Sequence, residues 1–446
     1  MKSIVNYFLL LLPGIIPVQS VVAHPIKSDS LQRVPLTLNQ VWEKAASYNK
    51  AVQMKELRLQ SSAEQIKDAK AERLPEISAE GEYARISNMP VYDNGIFKAP
   101  SQFEVLHSTY SVGADAYLNL YNGNKLNIEI DARKSENKIA AEQKRMTVSE
   151  AKLRAAAYYL DMQRSIIFKD LLLKDIAAQE KQLLKIEALK TNGVVLKSDV
   201  LRAELKLSKQ KLSLVQLNND LAIANQKLNI LIGLPDDEQI DPVTDNVLDS
   251  INLKSNQDYL TTAGSNSYQI KISAEETELR KLQLKNVKAN VSPKVGLFAE
   301  YKYSYPQIFL YPYSPYIYGI GMAGVKASFS ISSFYHNYHK AKVAKLEYES
   351  QEIEHAQTQD NVRQQVNEAY LRFKEALNRV DVSKTNIRQA QENRRIVSNT
   401  YFNQTSLITD LLDADTQLLQ TRFDLAAAEI AAQLQYYQLQ NVTGNL

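Results

Sequence analysis

The chain has 446 residues, 23% charged and 44% hydrophobic, with a formal net charge of +3. That balance excludes a disordered chain, and a charge so near neutral argues against nucleic acid as the main partner. Cysteine is absent, which excludes disulfides and a lipid-bearing cysteine at the mature start.

Residues 1–23 read as a secretory signal. Lys2 supplies the positive charge, an apolar run follows through Leu9–Leu12 to Ile16, and Val21 and Ala23 fit a small-residue cleavage site. Pro13, Gly14 and Pro17 interrupt the run, which is shorter than the ~20 residues of a membrane span. No later run of ~18 apolar residues occurs. Thr37 caps a helix expected from Leu38 to about Leu74, with Trp42 as a core anchor.

At Pro75 the period changes to two. Ile77, Ala79, Gly81 and Tyr83 alternate with Glu76, Ser78, Glu80 and Glu82, predicting a strand over about 76–86. A second strand is predicted over about 109–121, with Val112, Ala114, Ala116 and Leu118 opposite Asp115 and Tyr117. Both have the ~9–11 residues of a tilted transmembrane strand. Between Gly123 and Gly193 there is neither glycine nor proline, predicting one rod over about 123–190, ~100 Å long. Thr191-Asn192-Gly193 ends it, and a helix over 198–232 follows with a three-and-four leucine seam.

An acidic stretch over 236–264 reads as a linker. The pattern then restarts, with a helix from about Tyr268 to Asn290, Pro293 as a stop, and strands predicted over about 294–304 and 317–331. A second rod is expected over about 334–400 and a last helix over 407–442. The series thus occurs twice, dividing the mature chain into repeats at 24–235 and 265–446. Leu196-Lys197-Ser198-Asp199-Val200-Leu201 stands over Leu407-Ile408-Thr409-Asp410-Leu411-Leu412. The strands' polar faces carry Glu76, Glu80, Glu82, Asp115 and Glu300, which would line a wet lumen. A bilayer accepts strands only in a closed barrel, and four are too few. Two copies pool eight strands and three pool twelve. The competing reading is a soluble periplasmic coiled-coil scaffold or interaction protein with a small sheet.

Leu36-Thr37-Leu38 with Ala45, the helix-to-proline junctions at Pro75 and Pro293, and Leu120-Tyr121-Asn122-Gly123 accompany this tandem order. So do Tyr401 and Asp410-Leu411-Leu412-Asp413-Ala414 near the end. With these features the whole mature chain resembles the TolC-like outer-membrane efflux family. The resemblance implies an α+β membrane protein, a homotrimer whose twelve-stranded transmembrane β-barrel continues into a long α-helical coiled-coil barrel in the periplasm. It implies a passive exit duct of a tripartite efflux or type I secretion system, set in outer-membrane lipid. A periplasmic adaptor (membrane fusion) protein and an inner-membrane RND or ABC transporter would open it. It also implies a periplasmic gate at Asp410 and Asp413, with Tyr401 at the tip; Asp199 is the first repeat's counterpart of Asp410. Gln404 and Ser406 replace a glycine and a latching arginine of the family. The plainer role for Asp410 is to complement the positive N-terminus of its helix. No phosphate-binding loop, metal-ligand set or acid–base pair stands out, so the reading is of a protein that is not an enzyme, with no catalytic residues, cofactor or metal.

Overall fold

The computed structural model describes residues 34–243, 253–307 and 314–446. The expected signal at 1–23 and part of the acidic linker lie outside them. Two long helical hairpins dominate. Helix α3 (Lys125–Thr191) has 67 residues and returns as α4 (Lys197–Ile232); α8 (Tyr338–Phe402) has 65 and returns as α9 (Ile408–Val442). At ~1.5 Å per residue the two rods are each ~100 Å long.

Shorter helices flank the rods. The helix expected over 38–74 is two, α1 (Leu38–Tyr48) and α2 (Lys50–Ala71). Asn49 breaks it: with ψ at 126° it leaves the helix, and its side-chain oxygen accepts the backbone N–H groups of Ala51 and Val52 to start the next one. The stretch expected as linker over 236–264 is also corrected, because it contains α5 (Asn256–Asn266). Ser255 and Asp258 form its capping box, and Tyr259 and Ala263 bury their side chains against α8. Helix α6 (Tyr268–Lys288) follows. Both α1 and α5 have 11 residues, and the onsets of α1 and α2 each precede those of α5 and α6 by 218 residues.

A four-stranded antiparallel sheet stands at one end of the rods. Its strands are β2 (Glu76–Arg85), β5 (Ser108–Tyr121), β7 (Lys294–Tyr305) and β8 (Tyr318–Ser328), in the order β2-β5-β7-β8. The last ends three residues before the expected 331, where Ser330, Ser332 and Ser333 turn the chain into the four-residue helix α7 (Ser333–His336). Asn337 separates α7 from α8, so the rod expected from 334 starts at Tyr338. The loop between β2 and β5 folds into a small hairpin of β3 (Met89–Val91) and β4 (Ser101–Phe103).

Midway along the rods, β1 (Val34–Leu36) pairs in parallel with β6 (Ile240–Pro242). Beneath them a core forms from Val41, Ala45, Tyr159, Met162, Leu228 and Ile232. The Tyr159 hydroxyl lies 2.8 and 2.9 Å from the carbonyl oxygens of Leu36 and Val243, tying both short strands to α3. Trp42 donates its indole N–H to the Lys152 carbonyl at 3.0 Å and packs edge-on to Tyr437 at 5.2 Å. Among the described residues no helix is long and apolar enough to cross a membrane.

Candidate functional site: a two-faced sheet and a bonded helical tip

The sheet register separates two chemistries. Asp115 pairs with Ser78 on one side and Glu300 on the other, while Glu80 pairs with Gly113 and, across it, Lys302. Glu76, Glu80, Glu82, Asp115 and Glu300 therefore share one face. Ser78 donates a hydrogen bond to Asp115, and Lys302 lies 3.8 Å from Glu80. The opposite face carries Ile77, Ala116, Ala299 and Ala323 in one row and Leu118, Leu297 and Val325 in another. Ile77 is 74% exposed and Val325 66%. Strand β8 departs from the rule, since its Ile320 and Met322 stand on the polar face opposite Lys302 and Glu300.

At the far end the two hairpin turns pack together. Ile186, Val200, Ala203, Tyr401, Ile408 and Leu411 form the tip core. Tyr401 is only 5% exposed and its hydroxyl has no hydrogen-bond partner among the described residues. Burial, with a smaller effect of the Asp199 carboxylate, holds its phenol above the ordinary range. Tyr401 and Asp199 are thus brought together across the two hairpins. Asp410 and Asp413 are exposed. Asp410 accepts the Leu407 backbone N–H at 3.1 Å, which gives it the helix-start role as well as its exposed position. Gln404 sits at φ 63° where the first hairpin's turn has Gly193 at φ 75°. Ser406 accepts a hydrogen bond from Thr400 at 3.1 Å within the same turn.

Behind the tip lies a cluster that sequence reasoning did not find. Asp415 on α9 is 2% exposed. It receives Gln182 of α3 at 2.9 Å and Arg394 of α8 at 2.9 Å, with Lys206 of α4 at 3.8 Å. One carboxylate thus joins all four helices of the two hairpins. Lys206 also donates to the Leu412 carbonyl at 2.7 Å. Burial lowers the Lys206 ammonium below its ordinary range, against the pull of Asp415 and Asp175. Beside it, Asp175 accepts from Gln210, and burial pushes its carboxyl up. The signal was present as polarity at seam positions: Asp415 stands four residues after Leu411 and three before Leu418, and Arg394 follows Ala390 at the same spacing.

A stability prediction follows from Asp175. A carboxyl whose folded pKa is raised contributes stability that is fully present below its unfolded pKa and lost as pH rises through the folded value. Asp175→Asn removes that loss and keeps an acceptor for Gln210. The variant is expected to melt slightly above wild type at pH 7, and the gain should vanish below about pH 4. Thermal melts at the two pH values check it; a variant less stable at pH 7 contradicts it.

The chain is similar to known proteins in both sequence and fold. Residues 41–234 match the family model described as outer membrane efflux protein. No curated protein matches the sequence. Among solved structures, CusC aligns with TM-score 0.77 at 17% identity, covering 92% of this chain and 92% of CusC; its structures concern folding and transmembrane channel formation. The outer membrane protein VceC from Vibrio cholerae aligns with TM-score 0.73 at 16% identity, over 91% of this chain and 96% of VceC. The Neisseria gonorrhoeae outer membrane channel MtrE, in its open state, aligns with TM-score 0.71 at 15% identity, over 91% and 88%. Residues 41–234 are thus similar to outer membrane efflux proteins, and over about nine-tenths of the chain the fold is the one found in these outer-membrane channels.

Proposed function

We propose that the protein is the outer-membrane exit duct of an efflux or secretion system, a passive channel gated at its helical tip. The observation that carries this reading is the sheet. One face is apolar and exposed, the other is charged, and both edges, β2 and β8, are unpaired among the described residues. Lipid does not tolerate an open edge, so the sheet must close with other copies. Strands β2 and β8 run in opposite directions, so β8 of one copy can pair antiparallel with β2 of the next in a closed ring. Three copies give twelve strands, the number the family resemblance implies. The carboxylates Glu76, Glu80, Glu82, Asp115 and Glu300 then face the lumen.

The rods continue the wall below the membrane. Leu201, Leu205, Leu212 and Val215 leave an exposed apolar row on α4, and Ile353, Leu371, Val382 and Ile396 leave another on α8. These rows suit the neighbouring copies of a helical tunnel. The equal offsets of α1, α2 and Pro75 from α5, α6 and Pro293 support a tandem repeat, with the second unit starting near Ser255 rather than 265. A soluble scaffold would leave Ile77, Val112 and Val325 facing water with no layer over them. An adaptor protein and an inner-membrane RND or ABC transporter are the partners that the duct requires, because no energy-coupling motif stands out in the chain itself.

Purified protein in detergent is expected to be trimeric, to migrate differently on gels before and after heating, and to conduct ions in planar lipid. A monomer that stays in the soluble fraction and is silent in lipid sinks the duct. For the gate, three copies place six exposed carboxylates from Asp410 and Asp413 around one constriction. Charge pairs near a surface are worth up to a few kcal/mol, and ~1.4 kcal/mol is a tenfold change in binding. Replacing both aspartates with alanine is expected to raise the multivalent-cation concentration needed for half-block by roughly tenfold. Unchanged block removes the carboxylates from the gate.

A further inference from the structure

We propose that residues 329–342 form a membrane clamp that binds the headgroups of anionic phospholipids in the periplasm-facing leaflet. The proposal rests on the barrel reading of the sheet and adds a lipid specificity to it. Strand β8 ends at Ser328, paired with Lys294, so the segment leaves the sheet at its helical end. The apolar row of β8 continues by alternation from Val325 and Ala327 to Phe329, whose ring meets Phe334 of α7 edge-on at 5.7 Å. The buried Asn337 then pins the chain to the last turn of α6. It donates to the Val287 carbonyl at 2.7 Å and accepts from Asn290 at 2.9 Å. This fixes α7 at the level where lipid gives way to water.

The residues change character along the segment in the order a bilayer does. Phe329 and Phe334 are half exposed, and Tyr335 and Tyr338 more so, at 67% and 64%. Amphipathic rings of this kind settle at the headgroup level. His336 and His339 follow, each against its preceding tyrosine, and then Lys340 and Lys342. Both lysines are exposed and make no ion pair among the described residues. From Tyr301 to Leu346 there is no Asp or Glu at all. The corresponding entry into α3 carries Glu129 and Asp131 within its first two turns, whereas the α8 entry meets no acid before Glu347. Cations next to an aromatic belt, with no carboxylate to satisfy them, are complementary to phosphate groups bearing net negative charge. Three copies would place three clamps around the barrel rim.

The test uses full-length protein in detergent, offered equal amounts of phosphatidylglycerol and phosphatidylcholine, with retained lipid counted by mass spectrometry. Conductance in planar lipid is recorded on the same samples. Wild type is expected to retain phosphatidylglycerol in preference. Lys340→Gln with Lys342→Gln is expected to lower that preference by about fivefold per lysine, with conductance unchanged. The exposed positions leave folding intact, and a Lys340→Arg, Lys342→Arg variant should restore the preference. Conductance with no phosphatidylglycerol preference, or a preference indifferent to the two lysines, overturns the clamp and leaves the duct standing. Silence in lipid together with no retained phospholipid overturns the duct and the clamp with it.

Discussion

Asp415→Ala is expected to be the most damaging single change in the two helical hairpins, at a cost of about 3–5 kcal/mol. The alanine removes the one acceptor shared by Gln182, Arg394 and Lys206, while the Lys206 ammonium stays where burial already disfavours it. Leaving a buried charge unpaired costs far more than the net worth of the pair. The loss is local, because the carboxylate holds α3 and α4 against α8 and α9 just behind the tip core of Tyr401 and Leu411. Hairpin turns over 191–197 and 402–408 should therefore become sensitive to protease at temperatures where the core beneath β1 and β6 is intact. Thermal melting and timed proteolysis measure the two effects separately.

Two further variants show whether charge or packing is at stake. Asp415→Asn keeps the shape and one acceptor and should lie between wild type and alanine. An apolar set, Lys206→Met with Arg394→Leu and Asp415→Leu, removes the carboxylate and both of its cations at once and is expected to recover most of the stability. It should also loosen the helical tip. A cluster whose four members come from four helices fixes one arrangement of the hairpins, whereas leucine and methionine accept several. If the alanine variant melts and resists protease like wild type, Asp415 is no hub.

The same cluster marks the limit of what the linear sequence discloses. The strands are legible because alternation such as Ile77, Ala79, Gly81 and Tyr83 against Glu76, Ser78, Glu80 and Glu82 needs no partner to be read. The rods are legible because glycine and proline are missing over some sixty residues. Helix α5 was hidden by composition: acids before it and Thr261, Thr262 and Gly264 within it suggest a loop, and burial of Tyr259 and Ala263 against α8 overrides that weak propensity. Its capping box, Ser255 with Asp258, was the available sign. The break at Asn49 had a similar one in the residue type itself. The parallel pair of β1 with β6 joins three residues near the start to three that lie two hundred positions on, and no local pattern announces that. Asp415 belongs to the same class. A lone acid in a seam reads as a defect until Gln182, Lys206 and Arg394 arrive from other helices.

Gly123→Ala is expected to uncouple the four-stranded sheet from the rod. Gly123 lies between β5 and α3 at φ 76°, a conformation that costs an L side chain ~1–2 kcal/mol. Asn124 follows at φ 65°, so two consecutive left-handed residues turn the strand into the helix. Space is a second obstacle. A Cβ on Gly123 would lie 2.6 Å from the Cβ of Ser292 and 2.9 Å from the carbonyl oxygen of Ala289. Those atoms belong to the turn that joins α6 to Pro293 and β7, so they cannot rotate away as a flexible side chain can. Overpacking of this kind adds ~1–3 kcal/mol. The only relief is to push the α6–β7 turn from the β5–α3 turn, which separates the two places where chain crosses from helix to sheet. Since Asn290 and Asn337 are bonded to each other at that level, the strain should reach the start of α8 as well. The variant is expected to keep its helical content and lose the heat-sensitive gel migration expected of the proposed duct. Gly95→Ala is the control, because Gly95 has φ 92° but nothing within 4 Å of the added carbon, and it should cost only the backbone term. Equal behaviour of the two variants would mean that the close contact with Ser292 and Ala289 contributes nothing to joining the sheet to the rods.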